Sequence, residues 1–173
     1  MLYKVTYPNQ HLSEQKVSEE DSASGILLGR EFSTSVVLFQ EAVAVRLGIN
    51  ATDYRCLDVI LRKGQMTAKA LAEEAGLTTG AITGIVDHLE RAGYVERLDN
   101  PKDRRSVIVR PLVTHKELGR KLGDAMVSYR AAMSKLFQKY DADQTAAIVD
   151  FLRVFVEVLR TQTSKLRDSS ASS

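Results

Sequence analysis

The chain has no tryptophan, one cysteine and three prolines in 173 residues, and 6% of its residues are aromatic. A single cysteine, Cys56, excludes an internal disulfide, and three scattered histidines beside it make no ordinary His/Cys metal set. With so few rings available, the core must be mainly aliphatic. No apolar run approaches the ~18–20 residues that a membrane-spanning helix needs. The opening MLYKVTYPNQ lacks a basic start followed by a long apolar stretch, so no secretory leader is expected. Neither sign of charge dominates, and a net charge of +2 does not argue by itself for a polyanionic partner. There is no Ser/His/Asp set, P-loop, glycine-rich dinucleotide turn or carboxylate pair placed for acid–base work, which argues against an enzyme. The expectation is a reduced, cytoplasmic protein that needs no cofactor.

What is present is an ordinary globular mixture, 44% hydrophobic and 27% charged, enough for one domain with an oligomerisation appendage. Residues 1–25 are polar and aperiodic, with two lysines against four acids, and are expected to be a flexible lead-in. Residues 166–173, ending in Ser169-Ser170-Ala171-Ser172-Ser173, are expected to be a disordered tail. Ile26, Leu28, Phe32, Val36, Phe39 and Val43 step by two to four, so a long helix from Ile26 to Leu47 is expected, ended by Gly48. Thr52-Asp53 reads as the cap of a second helix stopped by Gly64. Thr67 caps a short helix closed by Gly76, and Thr78 opens another, from Thr79 to Ala92, closed by Gly93.

The period then changes. Tyr94–Leu98 and Ser106–Arg110 are β-branched segments flanking the turn-rich Asp99-Asn100-Pro101-Lys102-Asp103, a hairpin with a long connection. From Arg97 to Arg110, five basic residues stand against two acidic ones, a local excess of +3 in a nearly neutral chain. A solvated loop would account for that charge equally well. Two long helices are expected to follow, one through Leu118, Leu122, Met126, Tyr129, Met133, Leu136 and Tyr140, the other through Ile148, Phe151, Leu152, Phe155, Val156 and Leu159.

Residues 67–93 have the spacing of a helix-turn-helix: small Ala72 at the helix crossing, Gly76 in the turn, Ile82 anchoring the second helix. A plain αα-hairpin needs the same residues. Two strands and a basic loop directly after it are the order of a winged helix, whose second helix enters a major groove while the loop reaches the adjacent backbone or minor groove. In that second helix Ile82, Ile85, Val86 and Leu89 form the core side, opposite Gly80, Thr83, Gly84, Asp87, His88 and Arg91. A glycine inside a helix costs about 1 kcal/mol relative to alanine. Two on one exposed side suit the close approach of something large, although simple helix weakness is the bland alternative. Thr79 and Thr83 could bond phosphates or bases, and His88 could contact phosphate. Asp87 would repel a phosphate, so it should meet a base amino group or pair with Arg91.

These residues resemble the MarR family of transcriptional regulators. The likeness lies in Leu71-Ala72-Glu73, in Leu77-Thr78-Thr79-Gly80-Ala81-Ile82-Thr83, and in Asp103-Arg104-Arg105-Ser106-Val107-Ile108-Val109-Arg110-Pro111-Leu112 following Leu89-Glu90-Arg91-Ala92-Gly93-Tyr94-Val95. It covers about residues 26–163. It implies a mainly α fold: a winged helix-turn-helix with a small hairpin wing, plus terminal helices that form a dimerisation domain. The expected divisions are 26–50 and 113–165 for dimerisation and 51–112 for DNA binding. A homodimeric repressor or activator on pseudo-palindromic double-stranded DNA follows from the resemblance. Arg105, held by Asp103, would reach the minor groove, with Lys102, Arg104 and Arg97 as further wing contacts. Thr78, Thr79, Gly80, Ala81, Thr83, Gly84, Asp87, His88 and Arg91 would form the recognition-helix site. In such proteins a small, often aromatic ligand binds between the dimer helices and the winged domain, and candidate lining residues here are Phe39, Val43, Tyr54, Arg55, Leu57 and His115. All six are equally at home in core or boundary packing. Cys56 has a redox reading by the same resemblance, against the simpler one of a small core residue. Pro111-Leu112-Val113-Thr114 departs from the usual end of the wing and bears on how the next helix starts.

A physical case for pairing exists apart from the family. Phe32, Val36, Phe39, Phe151, Phe155 and Leu159 lie on stripes longer than a winged-helix core of ~60 residues can cover. A two-fold dimer with interleaved terminal helices would bury them; a monomeric bundle is the alternative. The competing function is a winged-helix module that binds protein, which would call for an apolar rather than polar recognition face.

Overall fold

The computed structural model describes the backbone of residues 19–103 and 105–170, and side chains from Ser24 to Arg167 apart from Arg104. Most of the expected lead-in, the end of the expected tail and Arg104 therefore lie outside the described residues. The elements run α1 (Glu19–Arg46), α2 (Ala51–Lys63), β1 (Met66–Thr67), α3 (Ala68–Ala75), α4 (Thr79–Arg91), β2 (Val95–Asp99), β3 (Val107–Pro111), α5 (His115–Leu122), α6 (Asp124–Phe137) and α7 (Ala142–Ser170). Two compact units divide between Leu118 and Gly119.

In the first unit the caps explain where helices begin. The α2 cap is Asn50, not the expected Thr52-Asp53. Its Oδ1 accepts the Asp53 amide at 2.8 Å while its Nδ2 donates to Asp53 Oδ2 at 2.8 Å. Asp53 thus sits in the first turn as the reciprocal partner of the cap rather than as the cap. Thr67 and Thr78 cap α3 and α4 as expected, accepting from the Ala70 and Ala81 amides. Between these helices Gly76 takes φ 68° and ψ 38°, the left-handed conformation that closes α3 and frees the chain to turn.

The sheet has the order β1-β3-β2, with Met66 opposite Val109 and Arg97 opposite Val109 from the other side. A two-residue strand carries no periodicity, which is why β1 was not expected from the sequence. Leu57 and Ile60 of α2, Leu71 of α3, Ile82, Val86 and Leu89 of α4, Val95 of β2 and Val109 of β3 are fully buried together. Each such side chain stabilises the unit by about 1.5–3 kcal/mol relative to exposure. Val43 and Ala44 join them from the last turn of α1, with Leu47 just after it.

Thr114 opens α5. Its Oγ1 accepts the Glu117 amide at 3.2 Å, and its own amide donates to Glu117 Oε2 at 2.7 Å, a reciprocal capping box. The helix expected to run from Leu118 to Tyr140 is two helices instead. Gly123, at φ 58°, ends α5, and α6 closes at Phe137. Leu118, Leu122 and Met126 keep a four-residue step across the break, so spacing alone conceals it. α7 continues through Ser170, into the segment expected to be a tail. In α6 no residue is buried, and in α7 the rings of Phe151 and Phe155 stack at 5.9 Å while both remain exposed. α1 shows Ile26, Leu27, Leu28 and Phe32 on its surface, all more than half exposed.

Candidate nucleic-acid interface

The four apolar residues of α4 face the core, and its remaining positions from Thr79 to Arg91 are exposed. At about 100° per residue, Gly80, Gly84, Asp87 and Arg91 lie farthest from the buried side. A Cβ at Gly80 or Gly84 would meet nothing within 4 Å. Among the described residues nothing requires glycine there, and the backbone of α4 is bare along that line. Thr83 Oγ1 turns back to the Thr79 carbonyl at 3.5 Å, and Arg91 Nε donates to the Asp87 carbonyl at 3.2 Å. The surface is polar, with no exposed large apolar side chain in α4; this disfavours a protein-binding face.

His88 lies on the other flank of α4, its Nδ1 3.5 Å from Oδ2 of the buried Asp53 in α2. Asp53 Oδ1 finds no hydrogen-bond partner among the described residues.

The wing is built by short polar bonds. Asn100 Nδ2 donates to Ser106 Oγ at 2.7 Å, Ser106 Oγ donates to the Asp103 carbonyl at 3.1 Å, and Asn100 Oδ1 accepts the Lys102 amide at 3.0 Å. Asp103 Oδ1 accepts the Arg105 amide at 3.0 Å. Asp103 therefore holds the backbone of Arg105. Lys102 and Arg105 are exposed on the loop. Asn100, a turn residue by its sequence, organises this loop through both ends of its amide, and an Asn beside Pro is its sign in the sequence.

Arg97, expected among the wing contacts, is turned the other way. Its guanidinium meets Glu90 and Asp87 and donates to the Thr83 carbonyl at 3.2 Å, all on α4. The Asp87 carboxylate meets Arg97, while Arg91 bonds the Asp87 backbone carbonyl. Arg110 is likewise engaged, donating to Glu96 across the hairpin.

The six candidates for a ligand pocket differ in burial. Val43 and Leu57 are core residues, Tyr54 is half-buried, and Phe39, Arg55 and His115 are exposed, His115 lying 3.9 Å from Asp58. One hollow of about 400 Å³ lies between β1 and the wing; another of about 640 Å³ lies between the α1–α2 turn and the end of α4. None of the six lines either. Cys56 is fully buried, and desolvation pushes its thiol up to about 11, with Arg55 pulling it down and Asp53 adding to the rise. That is core chemistry, not that of a thiolate sensor. No single helix among the described residues is long and apolar enough to cross a membrane.

A model of the MarR family matches residues 49–107, from the α1–α2 turn through the wing. Over 156 residues the chain is 31% identical to an uncharacterised HTH-type transcriptional regulator, YcgE of Bacillus subtilis, covering 90% of this chain and 99% of that one. The chain belongs to the MarR family. This MarR-family protein is a DNA-binding transcriptional regulator, and the family is one of regulators, not enzymes. A MarR family protein from Bacillus stearothermophilus has the same fold, with TM-score 0.62 at 18% identity over 84% of this chain and 99% of that one. Apo MarR from E. coli superposes with TM-score 0.53 at 23% identity, covering 74% and 93%. The winged helix-turn-helix expected from the sequence is the fold observed.

Proposed function

We propose that this regulator acts as a homodimer on pseudo-palindromic operator DNA, with α4 in the major groove and the wing over the adjacent minor groove. The observation that carries the reading is the bare backbone line at Gly80 and Gly84, on the outermost side of α4, where the fold itself needs no glycine. It lets the helix backbone sink toward base edges. Thr78, Thr79, Ala81, Thr83, His88 and Arg91 surround that line and would contact bases and phosphates. Lys102 and Arg105, on a loop held by Asn100 and Asp103, would follow the neighbouring backbone, with Arg104 beside them in the sequence.

Pairing is supported by the surface of the terminal helices. α1 exposes Ile26, Leu28, Phe32, Leu38 and Phe39, and α7 exposes Phe151, Phe155 and Leu159. Helices of that kind are stable only when covered. A two-fold assembly covers them and sets two recognition helices about 34 Å apart, one duplex turn. A small ligand would release DNA by favouring a dimer with the wrong spacing. The joint to act through is the end of α1, where Val43 and the following Leu47 are part of the winged core. Such a protein works where the chromosome is, in the cytoplasm.

Selection of bound sites from a pool of random duplexes by the purified protein tests the reading. The expected result is an inverted repeat with half-site centres about 10 base pairs apart, bound less tightly as salt rises. A recovered pool with no common sequence, or salt-independent binding, would refute it.

A further inference from the structure

Arg97 occupies the middle of β2, the strand that leads into the wing, yet its side chain belongs to α4. Thr83, Asp87 and Glu90 are spaced by four and three residues, so they share one edge of that helix, the edge toward β2. Glu90 Oε1 accepts the Arg97 amide at 3.1 Å while Glu90 Oε2 meets the guanidinium, so this carboxylate grips both the strand backbone and its side chain. Nη2 spans Asp87 Oδ1 and the Thr83 carbonyl. The planar fork of arginine suits such divergent acceptors; a lysine ammonium is a point charge.

These groups are partly exposed, with Arg97 at 28%, Glu90 at 41% and Asp87 at 52%. Surface ion pairs of that kind add little to stability. Their consequence is electrostatic and positional. Asp87 and Glu90 are the only carboxylates in α4, and both lie on the β2 side of the Gly80–Gly84 line along which a phosphate backbone would approach, Asp87 next to it and Glu90 farther round. Unscreened, both would repel it.

We infer that Arg97 is a positioning residue for DNA recognition: it cancels the two acids beside the recognition surface and ties the root of the wing to α4, so that helix and wing engage the duplex as one unit. The inference rests on the reading that α4 and the wing contact DNA.

The test uses the full-length protein and the tightest duplex recovered from the random pool. Arg97→Gln should weaken binding roughly tenfold or more, the scale of a lost charge-assisted contact, without change in secondary structure or oligomeric state. Arg97→Lys should not restore it. Adding Asp87→Asn and Glu90→Gln to Arg97→Gln should recover much of the affinity, which a merely structural role would not predict. Arg105→Ala should weaken the Arg97→Gln protein less than it weakens the wild type, because the wing is no longer held in place. Wild-type affinity in Arg97→Gln overturns the inference, as does a full Arg105 effect together with no recovery on removing the acids. If Gly84→Leu and Arg105→Ala each bind normally, the underlying interface reading fails and takes this inference with it. If those two weaken binding while Arg97→Gln does not, the inference alone fails.

Discussion

The Tyr94 hydroxyl donates to the Leu47 carbonyl at 2.7 Å inside the protein, joining the end of α1 to the residue that precedes the wing. Both groups are buried, so the carbonyl has little access to water in place of this bond. The bond links the helix read as a dimer element to the strand that carries the basic loop. Tyr94→Phe removes the donor and little else. It should cost about 0.5–1.5 kcal/mol in urea unfolding, with the denaturant slope unchanged; a neutral result would show that the Leu47 carbonyl is satisfied without Tyr94.

Gly84→Leu separates folding from function. Since a Cβ there meets nothing, the substitution should leave the fold intact and stabilise α4 by about 0.5–1 kcal/mol. Operator binding should fall steeply, because the leucine stands where the duplex must come closest. Higher thermal stability with lost gel-shift activity is the expected pair of results, and undiminished binding would contradict the close-approach argument.

Arg105→Ala should weaken operator binding by about 1–3 kcal/mol if the side chain enters a groove. Fluorescence anisotropy with the selected duplex measures it. An unchanged affinity in a folded protein would remove Arg105 from the interface.

Glu substitution at both Phe151 and Phe155 should yield a monomer by sedimentation equilibrium while α7 remains helical, since both rings are exposed within one chain. Burying four charges in a two-fold interface is prohibitive without partners. A dimer that persists would place the contact elsewhere.

Cys56 gives a pH prediction with a definite sign. Its thiol is raised from 9.0 to about 11 in the folded chain, chiefly by desolvation. Below 9 both states hold the proton and the group contributes no pH dependence. Between 9 and 11 the unfolded chain releases it first, so stability falls as pH rises. Chemical denaturation should show a smaller decline over that window in Cys56→Ala than in the wild type, and thiol reagents should react slowly with the native protein at pH 8.

Local order was plain in the residues themselves. Thr67 and Thr78 are caps because a hydroxyl before a helix satisfies a free amide, and Gly76 is a turn because it alone tolerates positive φ without strain. The buried side of α4 was legible from spacing, and so was the hairpin. The cap at Asn50 is not told from a cap at Thr52 by chemistry, since either side chain can accept a first-turn amide. The break at Gly123 was hidden by a period that continues through it.

Amino-acid order alone determined the two capped helices with the glycine turn between them, the hairpin and the outward line of Gly80 and Gly84, since capping, periodicity and glycine's backbone freedom act within a few residues of one another. Only the tertiary structure decided that Arg97 serves α4 rather than the wing loop, that Asp103 holds a backbone amide, and that Cys56 is shielded. A long side chain's partner depends on which elements lie beside it, and sequence spacing carries no information about that.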